Sequence, residues 1–329
     1  MINLDVLWLD QNDVRSLLDL SDAMDAVEKA FEQHGRKKVQ MPPKSYLYFE
    51  SHNGDLRTMP AYLEEQDVAG VKIVNVHPDN RQKGLPTVMA LFVLNSTETG
   101  APLAVMDASL LTDIRTGAAG GIAAKHLARP ESRVLGLVGS GNQARTQLLA
   151  IANVFDLQEV KVYSVHEERA EQFKQEMECK AGCTIIVCSS IEEVCDCDIL
   201  VTVTPVREPI VKSEWIKPGT HINAIGADAV GKEELEASLL LRSRVVVDDM
   251  VQASHSGEVN VPLAEGQITV SDICCEIGEV IAGLKPGRED DSDITIFDST
   301  GLAIQDVATA LLVYNAAKKK GVGKNLPIF

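Results

Sequence analysis

The chain has 329 residues, enough for two domains at about 150 residues each. Hydrophobic residues make up 45% and charged residues 24%, an ordinary globular balance that argues against disorder. With 31 Lys and Arg against 48 Asp and Glu, the formal charge is −17. That is poor footing for nucleic acid or an anionic membrane, because phosphate binding needs concentrated cations. The imbalance is uneven: residues 1–130 carry 13 basic and 17 acidic groups, and the remainder carries 18 and 31.

No apolar run approaches the roughly 20 residues of a membrane helix. The longest, Leu85 to Leu94, contains Pro86 and Thr87. Met1 to Asp10 lacks the basic start of a secretory signal, so a cytoplasmic location with reduced thiols is expected for the seven cysteines. Cys195-Asp196-Cys197 and Cys274-Cys275 have no His or further Cys pair at finger spacing, and no metal site is expected.

In chain order, Ser21 is positioned to cap a helix running to about His34, with Met24, Val27 and Phe31 on one face and Gly35 as its stop. Short β-rich runs follow at 46–49, 71–76, 88–94 and 103–106. They are separated by Asn53-Gly54, His77-Pro78-Asp79-Asn80 and Thr99-Gly100, which predicts an antiparallel sheet. Residues 112–127 read as a helix rich in Ala and Gly, suited to close packing. After Arg129-Pro130 the pattern changes. Strands are expected at 134–138, 160–165, 184–187, 199–204, 221–226 and 245–247, with helices from about 142 to 153 and from 167 to 179. Strands alternating with helical or loop connections predict a doubly wound parallel sheet, hence an α/β protein.

Gly139-x-Gly141-x-x-Ala144 lies between a buried strand and a helix. There small residues let backbone approach a pyrophosphate and the helix N-terminus favours its charge, so a dinucleotide is expected with Asn142 and Gln143 at the phosphate end. The next strand ends in Ser164-Val165-His166 rather than an acid. That allows NADP without excluding NAD. Ala224-Ile225-Gly226-Ala227-Asp228 puts a carboxylate beyond another strand tip, where it is either a ligand-facing group or a turn former. Lys44, Arg57, Lys72 and Arg115 form a set of cations in the first domain. Lys72 sits inside an apolar strand, on either a polar sheet face or a pocket wall. Beside Lys44 and Arg57 its proton affinity would fall toward neutrality. Arg57 has the shape to grip a carboxylate through two parallel hydrogen bonds.

Taken together, Gln40-Met41-Pro42-Pro43-Lys44, Gly54-Asp55-Leu56-Arg57-x-Met59-Pro60, Gly70-Val71-Lys72, Gly84-Leu85-Pro86-Thr87, Arg115-Thr116-Gly117-Ala118-Ala119-Gly120, Gly139 to Ala144, His221 to Asp228 and Phe297 to Gly301 give a near end-to-end resemblance to the ornithine cyclodeaminase/mu-crystallin family. The resemblance implies a Rossmann domain over residues 128–302. It also implies an α+β substrate-binding and dimerisation domain from residues 1–127 with 303–329, joined to a second copy through its mainly antiparallel sheet. It implies catalytic roles for Lys72 and Asp228, and substrate contacts from Lys44, Arg57, Arg115 and Thr300. Cofactor contacts are implied for Thr87, Arg115, Gly139, Gly141, Asn142, Gln143, Ser164, Val165, His166, Thr204, Ala224, Ile225, Gly226, Lys232 and Ser299.

Within the family, cyclodeaminases carry Glu two residues before the Met-Pro of the second stretch, where this chain has Arg57. A cation there repels the distal amine of ornithine and suits a short oxo-acid. The chain departs from both branches at Ala229-Val230. The resemblance therefore implies an NAD- or NADP-dependent homodimer that deaminates a small L-amino acid, alanine to pyruvate and ammonia. The alternatives are an ornithine cyclodeaminase, a cyclic ketimine reductase, or a non-catalytic NAD(P)-binding crystallin-like protein.

Overall fold

The structure, a computed structural model, describes residues 4–328. It divides into two compact units, one running up to Arg115 and resuming at Leu302, the other Thr116–Gly301. The first division falls inside the helix Ser109–Leu127 rather than after it. Close packing explains the position. Cβ atoms built at Gly117 and Gly121 would stand 2.7 and 2.8 Å from Thr146 and Ala150. The later turns of that helix therefore lie backbone-close against the helix Asn142–Val154.

In the first unit, β1 (Asp5–Leu9), β2 (Val39–Gln40), β3 (Ser45–Phe49), β4 (Gly54–Leu63), β5 (Val68–Val76), β6 (Val88–Ser96), β7 (Pro102–Asp107) and the C-terminal strand Lys324–Pro327 form one sheet. Only the β1–β7 pairing is parallel; the others are antiparallel. The helix at 20–35 is capped by Asp19, whose carboxylate accepts from the Ser21 and Asp22 amides, so Ser21 is inside the helix and not its cap.

Strand β4 is the hub, yet it reads poorly as a strand because it contains Asp55, Arg57 and Pro60. β3 pairs with residues 54–58 and β2 with residues 62–63. Pro60 sits in the interval between them, where its missing N–H interrupts no ladder on that edge. Alternation then sorts the sheet. One face carries Met59, Lys72, Phe92 and Met106 in a single cross-strand row, all buried. The helices Leu20–Gly35 and Ala303–Lys320 pack on each other, and the second also lies on β4, β5 and β6. The opposite face leaves Leu47, Met89 and Leu91 exposed.

In the second unit, β8 (Val134–Val138), β9 (Glu159–Tyr163), β10 (Thr184–Val187), β11 (Ile199–Thr202), β12 (His221–Ala224), β13 (Arg244–Val247), β14 (Ile273–Glu276) and β15 (Thr295–Asp298) form an all-parallel sheet in the order β10-β9-β8-β11-β12-β15-β13-β14. Its central strands β11, β12 and β15 are buried at every residue. The chain winds outward from β8 and returns to its other side at β11. This reversal places a switch point at the carboxyl ends of β8 and β11, where open α/β sheets bind ligands. No helix among the described residues is long and apolar enough to cross a membrane.

The interhelical contact gives a stability prediction. Gly117→Ala pushes a methyl group into the Thr146 backbone and should lower stability by about 1–3 kcal/mol. An unchanged denaturation midpoint for Gly117→Ala would show that the helices are not in backbone contact.

Candidate active site

Lys72 is the centre of the first unit's candidate residues. Its strand neighbours Met59 and Phe92 offer no polar partner, and the residue is only 1% exposed. Its Nζ is met by the C-terminal helix, where both carboxylate oxygens of Asp306 lie at 2.8 Å. It also donates to Thr112 Oγ1 at 3.3 Å. Arg115 Nε donates to the same Asp306 carboxylate at 3.0 Å, and Arg115 Nη1 donates to Gln305 at 2.8 Å. Burial, above all, lowers the Lys72 pKa to about 7; Arg115 and Lys44 add to the effect and Asp306 opposes it. An amine so placed exchanges its proton near neutrality.

Arg57 is not among the causes of that shift. Its two-pronged edge is engaged by Asp55, at 2.8 and 3.0 Å, and its guanidinium lies over the Tyr46 ring, 5.4 Å from the centroid. The clasp expected for a substrate carboxylate is thus occupied by a neighbour on the same face of β4. Lys44 is half-buried just before β3, and Thr87 lies in the loop before β6, its carbonyl accepting from His77 N–H.

In the second unit, the glycine turn follows β8 directly. Gly139 has φ +111°, and a Cβ there would meet Val203 at 3.0 Å, so a side chain would be both strained and crowded. A Cβ on Gly141 would meet nothing within 4 Å. The Gly141 N-cap makes no side-chain cap bond to the thirteen-residue helix that begins at Asn142. An uncapped helix N-terminus beside open space fits a dinucleotide pyrophosphate. Arg145 donates to the Ser140 and Gly141 carbonyls and pairs with Glu176, fixing the turn from within. Ser164, Val165 and His166 stand beyond the end of β9 rather than inside it, with Val165 exposed. Gln143 begins the helix beside Asn142.

Two buried carboxylates staple the loops at the carboxyl edge of this sheet. Glu234 accepts from the Thr204 amide and hydroxyl, both at 2.7 Å, and from the Gly226 amide at 2.9 Å. Asp248 accepts from the Thr300 amide and hydroxyl at 2.7 and 2.9 Å and from the Gly301 amide at 2.8 Å. The hydroxyls of Thr204 and Thr300 are therefore directed to these carboxylates. The chain of Ala224 and Ile225 leads to Gly226, where a Cβ would collide with the Thr204 carbonyl. Ser299 N–H donates to the Ala224 carbonyl. Asp228 lies beyond Gly226 and pairs with Lys232 at 2.6 Å.

Thus the second unit gathers Gly139, Thr204, Gly226 and Ser299 at one sheet edge, while Lys232 is directed to Asp228. The first unit gathers Lys72 and Arg115 but leaves Arg57 with Asp55.

The family model described as ornithine cyclodeaminase/mu-crystallin family matches residues 5–321. The chain belongs to that family. Alanine dehydrogenase of Archaeoglobus fulgidus is 56% identical over 326 residues, 99% of each chain. A solved archaeal alanine dehydrogenase dimer with bound NAD superposes with a TM-score of 0.96 at 56% identity, covering 99% of this chain and 100% of that one. Delta(1)-pyrroline-2-carboxylate reductase of Thermococcus litoralis, solved with NADH and L-proline, gives 0.94 at 40% identity, covering 98% and 100%.

Asp306, Gln305, Glu234, Asp248 and Arg145 hold the candidate groups and loops in place, and the sequence does not single them out. Each acts on another group rather than standing in a motif, and Asp306 is 234 positions from Lys72. The cysteine pairs are core thiols: burial pushes Cys195 up to about 12 and Cys197 well above its ordinary value. All seven cysteines are free.

The carboxyl edge also holds a buried proton. Burial, with the Asp248 charge nearby, raises the Asp298 pKa to about 8 from its ordinary 3.8. Between about pH 4 and 8 the folded protein then binds a proton that the unfolded chain releases, so stability should fall as pH rises through that window and level off above it. Asp298→Asn should flatten this slope in denaturant titrations from pH 5 to 8; an unaltered slope would place the proton elsewhere.

Proposed function

We propose that the chain is a nicotinamide-dependent amino-acid dehydrogenase that interconverts L-alanine with pyruvate and ammonia. The observation that carries this is Lys72: a proton-exchanging amine set in an apolar sheet row with cations around it. A binding protein has no need of such a group. The 56% identity with an alanine dehydrogenase across the whole chain supports the substrate.

The fit of the glycine turn supports NAD or NADP as the cofactor, held by Gly139, Gly141, Asn142 and Gln143 at the phosphates and by Ser164, Val165 and His166 toward the ribose. Thr87, Thr204, Ala224, Ile225, Gly226, Lys232 and Ser299 are its remaining proposed contacts. A bound nicotinamide supplies or accepts the hydride at the substrate Cα.

The chain's own residues handle charge and protons. Neutral Lys72 takes a proton from the substrate ammonium, freeing the nitrogen lone pair to assist loss of hydride from Cα. In the reverse direction protonated Lys72 returns it. Asp228, paired with Lys232, orients the water that releases ammonia from the imine, or the ammonia that attacks the oxo-acid. Lys44 and Arg115 supply positive charge to the substrate carboxylate. Arg57, fixed by Asp55 and Tyr46, adds charge from a set position rather than a free clasp, and Thr300 shapes the site through its backbone.

The likeness to a reductase of delta(1)-pyrroline-2-carboxylate favours a second reading, reduction of that cyclic imine, which demands the same carboxylate charge and proton donor. The exposed Leu47, Met89 and Leu91 support a homodimer closed through the first unit's sheet. Seven free cysteines fit a reducing, cytoplasmic setting. The charge of −17 disfavours nucleic acid as a partner.

With purified protein, pyruvate plus ammonia should oxidise NADH or NADPH, and folded Lys72→Met should show kcat/KM lowered by about 10²–10⁴. Turnover of the cyclic imine alone would select the second reading. Full activity in Lys72→Met would remove Lys72 from the chemistry.

A further inference from the structure

We propose that Asp306 is the positioning residue of Lys72, fixing where its Nζ stands and how firmly it holds its proton. The inference rests on the assignment of Lys72 as the proton-transfer group and deepens it.

The geometry is specific. Asp306 is fully buried in the first turn of the helix Ala303–Lys320, where the helix N-terminus favours a carboxylate. Both its oxygens lie 2.8 Å from Lys72 Nζ, and one also accepts from Arg115 Nε at 3.0 Å. Thr112 Oγ1 donates its own proton to the Ala108 carbonyl at 2.7 Å, so it can only accept from Nζ. Nζ is therefore held between an acceptor on the helix Ser109–Leu127 and a carboxylate on the C-terminal helix. The sheet beneath offers only Met59 and Phe92 as cross-strand neighbours.

The charges around Nζ are unequal. Arg115 and Lys44 repel its proton, and Asp306 alone among the groups acting on it is an anion. Burial and two cations drive the amine toward its neutral form. Without Asp306 the protonated fraction at neutral pH would fall, and Lys72 would become a poorer proton donor. The carboxylate thus lets one lysine serve both directions of a reversible reaction. Arg115, bound to the same carboxylate and to Gln305, keeps Asp306 from turning away.

The test reads the lysine itself. In protein labelled with ¹³C at lysine Cε, the Lys72 resonance, assigned by its loss in Lys72→Met, should titrate near neutrality. In Asp306→Asn its midpoint should fall by more than one pH unit, at least about tenfold in proton affinity. The pH dependence of kcat/KM should shift equally, with NADH affinity by fluorescence titration unchanged. An unmoved Lys72 midpoint in folded Asp306→Asn would overturn the proposal.

Should that variant fail to fold, the wild-type protein suffices. The Asp306 ¹³Cγ resonance should move with the Lys72 midpoint, and a flat response there would also overturn it. A shifted Lys72 midpoint with an unshifted rate profile would support the positioning while overturning the role of Lys72 in proton transfer.

Discussion

The structure turns on one buried ion triad. Removing an ammonium from water into an apolar sheet face costs several kcal/mol unless it is paired. Lys72 meets that cost through Asp306 and Thr112 rather than through its own sheet. The chain completes its second unit and then returns to the first, and the returning helix delivers Asp306. Arg115 shares the carboxylate, so the first-unit end of the helix Ser109–Leu127 is fixed by the same interaction. The returning helix of the discontinuous first unit thus carries the carboxylate that this amine needs.

The second unit solves the converse problem. Its carboxyl edge contains buried carboxylates with few cations, and these are satisfied by backbone amides and hydroxyls. Glu234 and Asp248 accept from the loops after β11, β12 and β15, and Glu258 accepts from the Glu234 and Leu235 amides. Glu258 is itself pushed well above the usual carboxylate range by burial and by the neighbouring Glu234. Rigid loops result at the edge where an α/β sheet binds ligands, and their small residues follow from backbone crowding.

What was legible in the sequence followed locality. The expected strand 134–138 matches because a buried parallel strand is a continuous apolar run, while the edge strand at 184–187 matches on its β-branched residues. β15 escaped because TIFD is only four residues and reads as part of a motif, yet it lies at the middle of the sheet. β4 escaped because Pro60 and Arg57 break its alternation, and only the gap between β2 and β3 makes that proline tolerable. Lys72 stood out as a charge within an apolar strand. Its true partner did not, since an Asp in the first turn of a helix looks like ordinary helix chemistry until the fold brings it to Nζ. Arg57 was visible as a cation, but its local pairing with Asp55 depends on both residues sharing a strand face.

The overall charge of −17 also gains a finer meaning. Within a globally acidic chain, the first unit carries Lys44, Lys72 and Arg115, with Arg57 paired to Asp55. The most direct measurement of the central claim follows one atom. Incubation with L-[2-²H]alanine and oxidised cofactor, read by proton NMR, should place the deuterium at nicotinamide C4 in step with pyruvate formation. Loss of the deuterium to water, or its retention in unconsumed alanine under the same conditions, would contradict it.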